Sequence, residues 1–185
     1  ASEKRIKKVK ILIMCEGANE KEIMDILLEN DCLIFTEDDL IGLTPYHARQ
    51  IKTSAQVRME LNIYPGKVKI LRVGDKQSDI LKIPAEYKDK IISVEKYCTK
   101  PELEMLLIIA EGLVSEYEKV KSGVKPKNYA KNHIKCGRKK YDNSTSFYRE
   151  YFGNNKELLV KCIREYKKCN KAHNKDEHYL AELLK

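Results

Sequence analysis

The feature that most constrains the fold is the apolar run at residues 9–15, which stops at Glu16-Gly17 and leads directly into helix-forming sequence. A short, β-branched and nearly continuous apolar run is typical of a strand buried in a parallel sheet. In such sheets, binding sites form outside the carboxyl ends of the strands. Glu16 is a carboxylate at such a strand end, and Gly17 after it would let a backbone or a phosphate approach closely. A residue of this kind is better explained as a metal ligand or a general base than as part of a hydrophobic core.

Strand-like and helix-like segments alternate over the first two thirds of the chain. Short apolar runs predict the strands, and apolar residues at spacings of three and four predict the helices. We predict strands at 9–15, 32–35, 67–73 and 91–94, and helices at 19–29, 46–61 and about 100–121. This alternation indicates an α/β fold with a largely parallel sheet flanked by helices.

The charge of the chain changes sharply after residue 118. Residues 1–118 hold 18 Lys and Arg against 21 Asp and Glu, a net charge of −3, whereas residues 119–185 hold 18 against 7, a net charge of +11. We therefore predict an α/β domain at 1–122 and a basic helical C-terminal extension at 123–185, with short amphipathic helices at 156–168 and 176–184. A basic extension on an acidic body favours a polyanionic partner, most often nucleic acid. The alternative is a solvated, lysine-rich surface.

Several classes of protein do not fit this composition. No apolar stretch is long enough to span a bilayer, and the basic start is not followed by the apolar core of a signal peptide, so we expect a cytoplasmic protein with no membrane partner. The six cysteines are then expected to be free thiols. No Gly-rich phosphate loop and no Ser–His or Cys–His pairing stands out, so ATP hydrolysis by this chain alone is not expected.

Acidic residues follow two of the predicted strands. The first strand ends at Glu16, and the strand at 67–73 is followed by Asp75, Lys76 and Asp79. If the two strands are parallel neighbours, their carboxylates converge at one edge of the sheet. Two or three convergent oxygens suit Mg²⁺ or Mn²⁺, which keeps waters and takes further ligands from substrate phosphate. The sequence therefore predicts a site for phosphodiester hydrolysis, with Lys76 offsetting charge on the phosphate.

This arrangement resembles the TOPRIM superfamily, and in particular its RloB-like and OLD-type nucleases. The resemblance rests on Glu16-Gly17, on Glu20 at the start of the following helix, and on Asp75 after the second strand. A further match is the segment at 99–107, in which Glu104 occupies the acidic position of an RloB-like motif. The match covers about residues 8–112. One departure is Gln77, which stands where the family's second motif carries a second Asp.

The resemblance implies a Mg²⁺- or Mn²⁺-dependent nuclease that acts in bacterial anti-phage defence with a partner ATPase. Glu16 would be a general base or metal ligand, Asp75 a metal ligand, and Asp79 and Glu104 additional ligands. Glu20 would support the ligands, although an acid in the first turn of a helix is also favoured by the helix dipole alone. Because of Gln77, the alternative is a degenerate, non-catalytic adaptor that binds nucleic acid or protein. A third possibility is a nucleotide- or RNA-processing enzyme on the same fold.

Two groups of residues in the basic extension are candidates for binding. Cations interleaved with aromatic residues suit single-stranded nucleic acid, although Phe147, Tyr148, Tyr151 and Phe152 are equally compatible with a small core. The predicted nucleic-acid-binding residues are Lys131, Lys135, Arg138, Lys139, Lys140 and Arg149. A second set has the spacing of zinc ligands, although scattered surface residues are the more expected outcome. It consists of His133, Cys136, Cys169 and His173.

Overall fold

The computed structural model describes residues 8–75, 78–169 and 173–185. Within these ranges, five parallel strands form a central sheet. In spatial order the strands of the sheet are β2 (Tyr46–His47), β1 (Lys10–Cys15), β3 (Val68–Gly74), β4 (Ile91–Cys98) and β7 (Glu177–His178). All four neighbouring pairs run parallel. The predicted α/β class and parallel sheet are thus confirmed.

Helices surround this sheet, and a small hairpin follows the fifth of them. The helices are α1 (Ala18–Glu29), α2 (Ala55–Ile63), α3 (Met105–Ala110), α4 (Val114–Glu118), α5 (Pro126–His133), α6 (Thr145–Phe152) and α7 (Lys156–Cys169). The antiparallel hairpin consists of β5 (Lys135–Cys136) and β6 (Lys139–Lys140), and short 3₁₀ helices lie at Glu37–Asp39, Ile41–Leu43, Ala85–Tyr87 and Leu180–Leu183. Within the described ranges, no helix is both long and apolar enough to cross a membrane.

The sheet is buried on both faces, which explains why β1 reads as a continuous apolar run. Ile13 and Cys15 belong to a large hydrophobic cluster that includes residues of α1, α3, α5, α6 and α7. Leu12 and Met14 point to the opposite face, where a smaller cluster includes residues of α2. The apolar residues of β1 therefore meet helices on both faces of the sheet, and β1 lacks an alternating polar pattern, as expected for a central parallel strand.

The predicted helix at 46–61 is wrong over its first half. Tyr46 and His47 instead form β2, paired with Met14 and Cys15 of β1. The helix that follows begins only at Ala55, where the Ser54 side chain accepts a hydrogen bond from the backbone of Val57. The helical spacing of apolar residues was continuous across this boundary, and the serine cap was the signal that marked the true start.

Three other predicted elements also differ from the structure. The helix expected at 100–121 is divided into α3 and α4, because Gly112 between them adopts a left-handed conformation with φ of 69°. The strand expected at 32–35 amounts to a single antiparallel bridge between Leu33 and Leu184. In place of a helix at 176–184, the chain forms β7 and the 3₁₀ helix Leu180–Leu183.

The basic C-terminal third shares the core of the preceding residues. It supplies β7 to the main sheet, and its aromatic residues Phe147, Tyr148 and Phe152 are fully buried in the same cluster as Ile13 and Ile23. The predicted boundary near 122–126 therefore marks a change in charge, while the hydrophobic core continues across it. This packing brings the C-terminal third to the carboxyl edge of the sheet.

Candidate active site

Among the described residues, four carboxylates line one cavity of about 490 Å³ at the carboxyl edge of the sheet. Glu16 follows β1 and Asp75 follows β3; these strands are neighbours, and the Glu16 amide donates to the Val73 carbonyl over 2.8 Å. Glu20 lies in the first turn of α1, and Glu104 immediately precedes α3. Three separate stretches of the chain thus direct acids into the same space.

Two glycines allow these acids to pack closely. A Cβ atom at Gly74 would overlap the carboxylate of Glu16, and a Cβ atom at Gly17 would overlap the carboxylate of Glu20. Neither glycine has a positive φ, so the need for glycine here is spatial. The Glu16-Gly17 and Gly74-Asp75 pairs in the sequence are therefore parts of one arrangement.

Burial and mutual repulsion raise the pKa values of the acids of the cavity. Burial, with the charges of Glu20 and Glu104, raises the pKa of Asp75 to about 8. Burial is also the main cause that raises the pKa of Glu20, whose carboxyl is hydrogen-bonded to that of Asp75. The pKa of Glu104 is raised in the same way. Such a cluster favours either a shared proton or a bound cation.

Neutral donors orient two of these carboxylates. The Thr99 hydroxyl donates to Asp75 Oδ1 over 3.1 Å, and the Tyr141 hydroxyl donates to Glu104 Oε1 over 2.6 Å. Tyr141 is 2% exposed and directly follows β6, so the basic C-terminal third fixes one wall of the cavity. Asn143 and Thr145 continue that wall.

Arg49 is the functional candidate that sequence reasoning missed. It follows β2 and lines the cavity, and its Nη1 lies 2.9 Å from Glu16 Oε1. Its side chain is 65% exposed, so the guanidinium is accessible to a ligand. Burial raises the pKa of Glu16, and the positive charge of Arg49 partly reverses that shift. No sequence pattern pointed to Arg49 directly. The strand before it, β2, is only two residues long, and the apolar residues of this region are spaced as in a helix.

Asp79, a predicted metal ligand, is placed elsewhere. Its Oδ2 lies 3.0 Å from Nη2 of the buried Arg72 and accepts a hydrogen bond from Gln50 over 3.2 Å. Burial alone would raise the pKa of Asp79, but the charge and hydrogen bond of Arg72 lower it. Asp79 is not among the described residues that line the acid cavity. Lys76 and Gln77 lie outside the described residues.

The donor set of the cavity suits a hard divalent cation. All four acids offer carboxylate oxygens, and Mg²⁺ in proteins is held by one or two carboxylates together with waters and substrate phosphate. As the side chains stand, the described part of the chain holds no group of three or more His, Cys, Asp or Glu residues able to enclose a metal ion.

The two histidines of the set with zinc-like spacing are engaged in other contacts. His133 stacks on Tyr129 and its Nδ1 lies 2.9 Å from the Tyr129 carbonyl. His173 stacks on Tyr179, and its Nε2 lies 2.8 Å from the Tyr166 hydroxyl. Neither these histidines nor Cys136 and Cys169 form a ligand group within the described ranges.

The predicted nucleic-acid-binding residues fall into two groups. Lys131, Lys135, Arg138 and Lys140 are exposed, and the last three lie on the β5–β6 hairpin, which leads directly into Tyr141. Lys139 is half-buried and donates to Ser146 over 3.0 Å. Arg149 instead binds within the protein, to Glu22 and to Glu29, with 2.6 Å between its Nη1 and Glu29 Oε2.

The aromatic residues near these cations belong to the core. Phe147, Tyr148 and Phe152 are fully buried, and Tyr151 donates to Glu111 over 2.5 Å. The structure thus supports the core interpretation of these residues over base stacking.

Comparison of the chain with protein-family models, curated proteins and solved structures finds no significant match in any of the three. The functional interpretation therefore rests on the geometry of the cavity and on the sequence motifs.

Proposed function

We propose that the protein is a Mg²⁺- or Mn²⁺-dependent nuclease whose reaction takes place in the cavity lined by Glu16, Glu20, Asp75 and Glu104. The observation that carries this proposal is the convergence of four carboxylates on one cavity, with the exposed Arg49 at their edge. A cluster of buried acids whose pKa values are raised is costly unless it serves a site.

Each residue of the cavity has a role in this proposal. Asp75, Glu20 and Glu104 are the carboxylates available to a divalent cation, which would act as a Lewis acid toward the phosphate. Glu16, with its raised pKa, accepts a proton from the attacking water. Arg49 leaves Glu16 to bind two oxygens of the phosphate, because a guanidinium matches that geometry.

The surroundings of the cavity support a nucleic-acid substrate. The β5–β6 hairpin carries Lys135, Arg138 and Lys140 on its exposed side and continues into Tyr141, which contacts Glu104. Exposed cations beside an acidic metal-binding cavity neutralise the phosphates on either side of the one that reacts. A role in bacterial defence and a partner ATPase remain predictions from the family resemblance.

Titration calorimetry with Mn²⁺ tests the metal site. Wild type is expected to bind Mn²⁺, Asp75→Ala to lose that binding, and Asp38→Ala, which removes an exposed acid outside the cavity, to keep it. Cleavage of labelled DNA and RNA strands in Mn²⁺ then tests the reaction. Glu16→Gln is expected to remain folded and to abolish cleavage; full cleavage by this variant contradicts the proposed site.

A second candidate function is a nucleic-acid-binding adaptor without catalysis. The observation that favours it is that the described acids, as they stand, do not enclose a metal ion. The same calorimetry separates the two functions. An adaptor binds nucleic acid through the hairpin and takes up no Mn²⁺ at Asp75.

A further inference from the structure

A second cavity of about 940 Å³ adjoins the acid cavity, and both are lined by Asp75. Its apolar residues come mainly from α3, α4 and the start of α5, and charged residues lie between them. The apolar lining includes Met105, Ile109, Val114, Tyr117 and Pro126. A pocket of this volume with an apolar floor and a few polar groups is typical of a ligand site.

The charges in this cavity largely cancel in pairs. Lys100 Nζ lies 2.6 Å from Glu177 Oε1, and Lys121 Nζ lies 2.5 Å from Glu118 Oε2. An apolar floor with its charges already paired suits a flat, neutral group better than a phosphate. The exposed Lys125 stands at the rim, where it can meet a phosphate outside the cavity.

The most buried charged group in the wall is engaged within the protein. Glu177 is 8% exposed, its Oε1 accepts hydrogen bonds from Lys100 and from the backbone of Asn174, and the Cys98 thiol is hydrogen-bonded to the same carboxylate. Burial alone would raise the pKa of Glu177, but these hydrogen bonds lower it to about 2. The cavity therefore offers a ligand mainly apolar surface, which suits the flat face of a nucleobase.

We propose that this second cavity holds an unpaired nucleotide of the substrate strand, next to the phosphate in the acid cavity. The inference rests on the proposed nuclease function and narrows its substrate to a single-stranded or locally unpaired site. A base inside a duplex is stacked and paired, so it can enter a side-chain-lined cavity only after leaving the helix. Because Asp75 borders both cavities, the base and its phosphate occupy adjoining spaces.

Binding measurements with Ca²⁺ in place of Mn²⁺ test this proposal without cleavage. The probes are a short fluorescein-labelled single strand, as DNA and as RNA, and the matching duplexes. Ile109→Trp fills the cavity, Lys125→Glu reverses the charge at its rim, and Lys119→Glu makes the same charge change on an exposed lysine outside it. Melting curves establish that each variant is folded.

Wild type is expected to bind the single strand at least fivefold more tightly than the duplex. Ile109→Trp is expected to weaken single-strand binding about tenfold, the effect of losing one stacked base. Lys125→Glu should weaken it severalfold, and Lys119→Glu by less than twofold. Equal affinity for strand and duplex, or unchanged single-strand binding by both cavity variants, overturns the proposal.

Two further results distinguish this proposal from the nuclease function. If no strand is cleaved in Mn²⁺ but single-strand binding is still lost in Ile109→Trp, the nucleotide site is supported and the nuclease function fails. If wild type binds free AMP in a manner blocked by Ile109→Trp but does not bind the strand, the cavity serves a free nucleotide, and the proposed strand site is overturned.

Discussion

The Tyr141 hydroxyl donates to Glu104 Oε1 over 2.6 Å and joins the basic C-terminal third of the chain to the acid cavity. The same hydroxyl lies 3.3 Å from that of Tyr148 in the core and 3.2 Å from Asn143 Oδ1. Glu104 is 3% exposed, so this donor is a large part of what stabilises its charge. The position of the acid cluster therefore depends on residues far from it in sequence.

We predict that Tyr141→Phe destabilises the protein by about 1.5–3 kcal/mol, the usual contribution of a hydrogen bond to a charged group. The hydroxyl lowers the pKa of Glu104, so its removal raises that pKa further. Cleavage and metal binding should then require a higher pH. Urea denaturation measures the first effect, and the pH dependence of Mn²⁺ affinity measures the second.

Tyr151→Phe is the matched control for this variant. It also removes a hydroxyl that donates to a carboxylate, but its partner is Glu111, outside the acid cavity. The control should leave the pH dependence of Mn²⁺ affinity unchanged. An identical pH shift in both variants would show that Tyr141 acts only through general stability.

Asp75→Asn is expected to stabilise the protein when no divalent cation is present. Folding raises the pKa of Asp75 from 3.8 to about 8, so the folded state binds more protons than the unfolded state between these values. Its contribution to stability is fully present below pH 3.8 and is lost as the pH rises through about 8. Asparagine does not titrate, so the stability of the variant should depend less on pH than that of wild type.

The effect is measured by urea denaturation in EDTA at pH 5 and pH 8. At pH 8 the variant should exceed wild type in stability by about 1–3 kcal/mol, because asparagine carries no charge to be buried beside Glu20 and Glu104 and a shift of one pKa unit corresponds to about 1.4 kcal/mol. Addition of Mn²⁺ should stabilise wild type and leave Asp75→Asn unchanged. Greater stability of wild type at pH 8 in EDTA would contradict the mutual repulsion of these acids.

Gly74→Ala should disturb the site while the protein stays folded. The added Cβ atom would overlap the Glu16 carboxylate, which must then move. We expect a loss of Mn²⁺-dependent cleavage of about 10–100-fold, the range typical when groups that orient a metal site are changed. The control is Gly123→Ala, where the new Cβ would meet nothing within 4 Å. Similar losses in both variants would rule out a spatial role for Gly74.

The two acids at strand ends were predictable from the sequence for a definite reason. An apolar run that ends in an acid places that acid at the carboxyl edge of a parallel sheet, so Glu16 and Asp75 could be brought together without a structure. Glu20 and Glu104 were harder to place. Their positions at helix starts are also explained by the helix dipole, and only the structure shows that both are buried beside Asp75.

The elements that could not be predicted from the sequence are the two short strands that form only by pairing with a neighbouring strand. β2 and β7 are two residues long, too short for any periodicity, and each exists because a neighbouring strand offers backbone groups to pair with. Missing β2 also hid Arg49, which only this strand brings to the cavity. Missing β7 made the basic third look like a separate extension.

Arg149→Ala should affect stability rather than nucleic-acid binding. Its guanidinium joins α6 to Glu22 and Glu29 of α1, and this pairing raises its pKa. We expect a destabilisation of about 1 kcal/mol. Arg138→Ala, at the exposed hairpin, should instead weaken strand binding and reduce its salt-dependence slope by about 1. If Arg149→Ala weakens strand binding and Arg138→Ala does not, Arg149 belongs to the binding surface.

Arg49→Lys tests whether this residue holds the phosphate or only pairs with Glu16. Lysine keeps the charge and can still pair with Glu16, but it cannot bind two phosphate oxygens in one plane. We therefore expect kcat to fall about 10-fold or more, and Mn²⁺ affinity to stay near that of wild type. Arg58→Lys, on α2 and outside the acid cavity, is the control. Because the Arg49 side chain is 65% exposed, its replacement should not unfold the protein. If Arg49→Lys keeps the wild-type kcat, Arg49 acts only as a charge partner of Glu16. If kcat falls and added guanidinium restores it, Arg49 binds the phosphate.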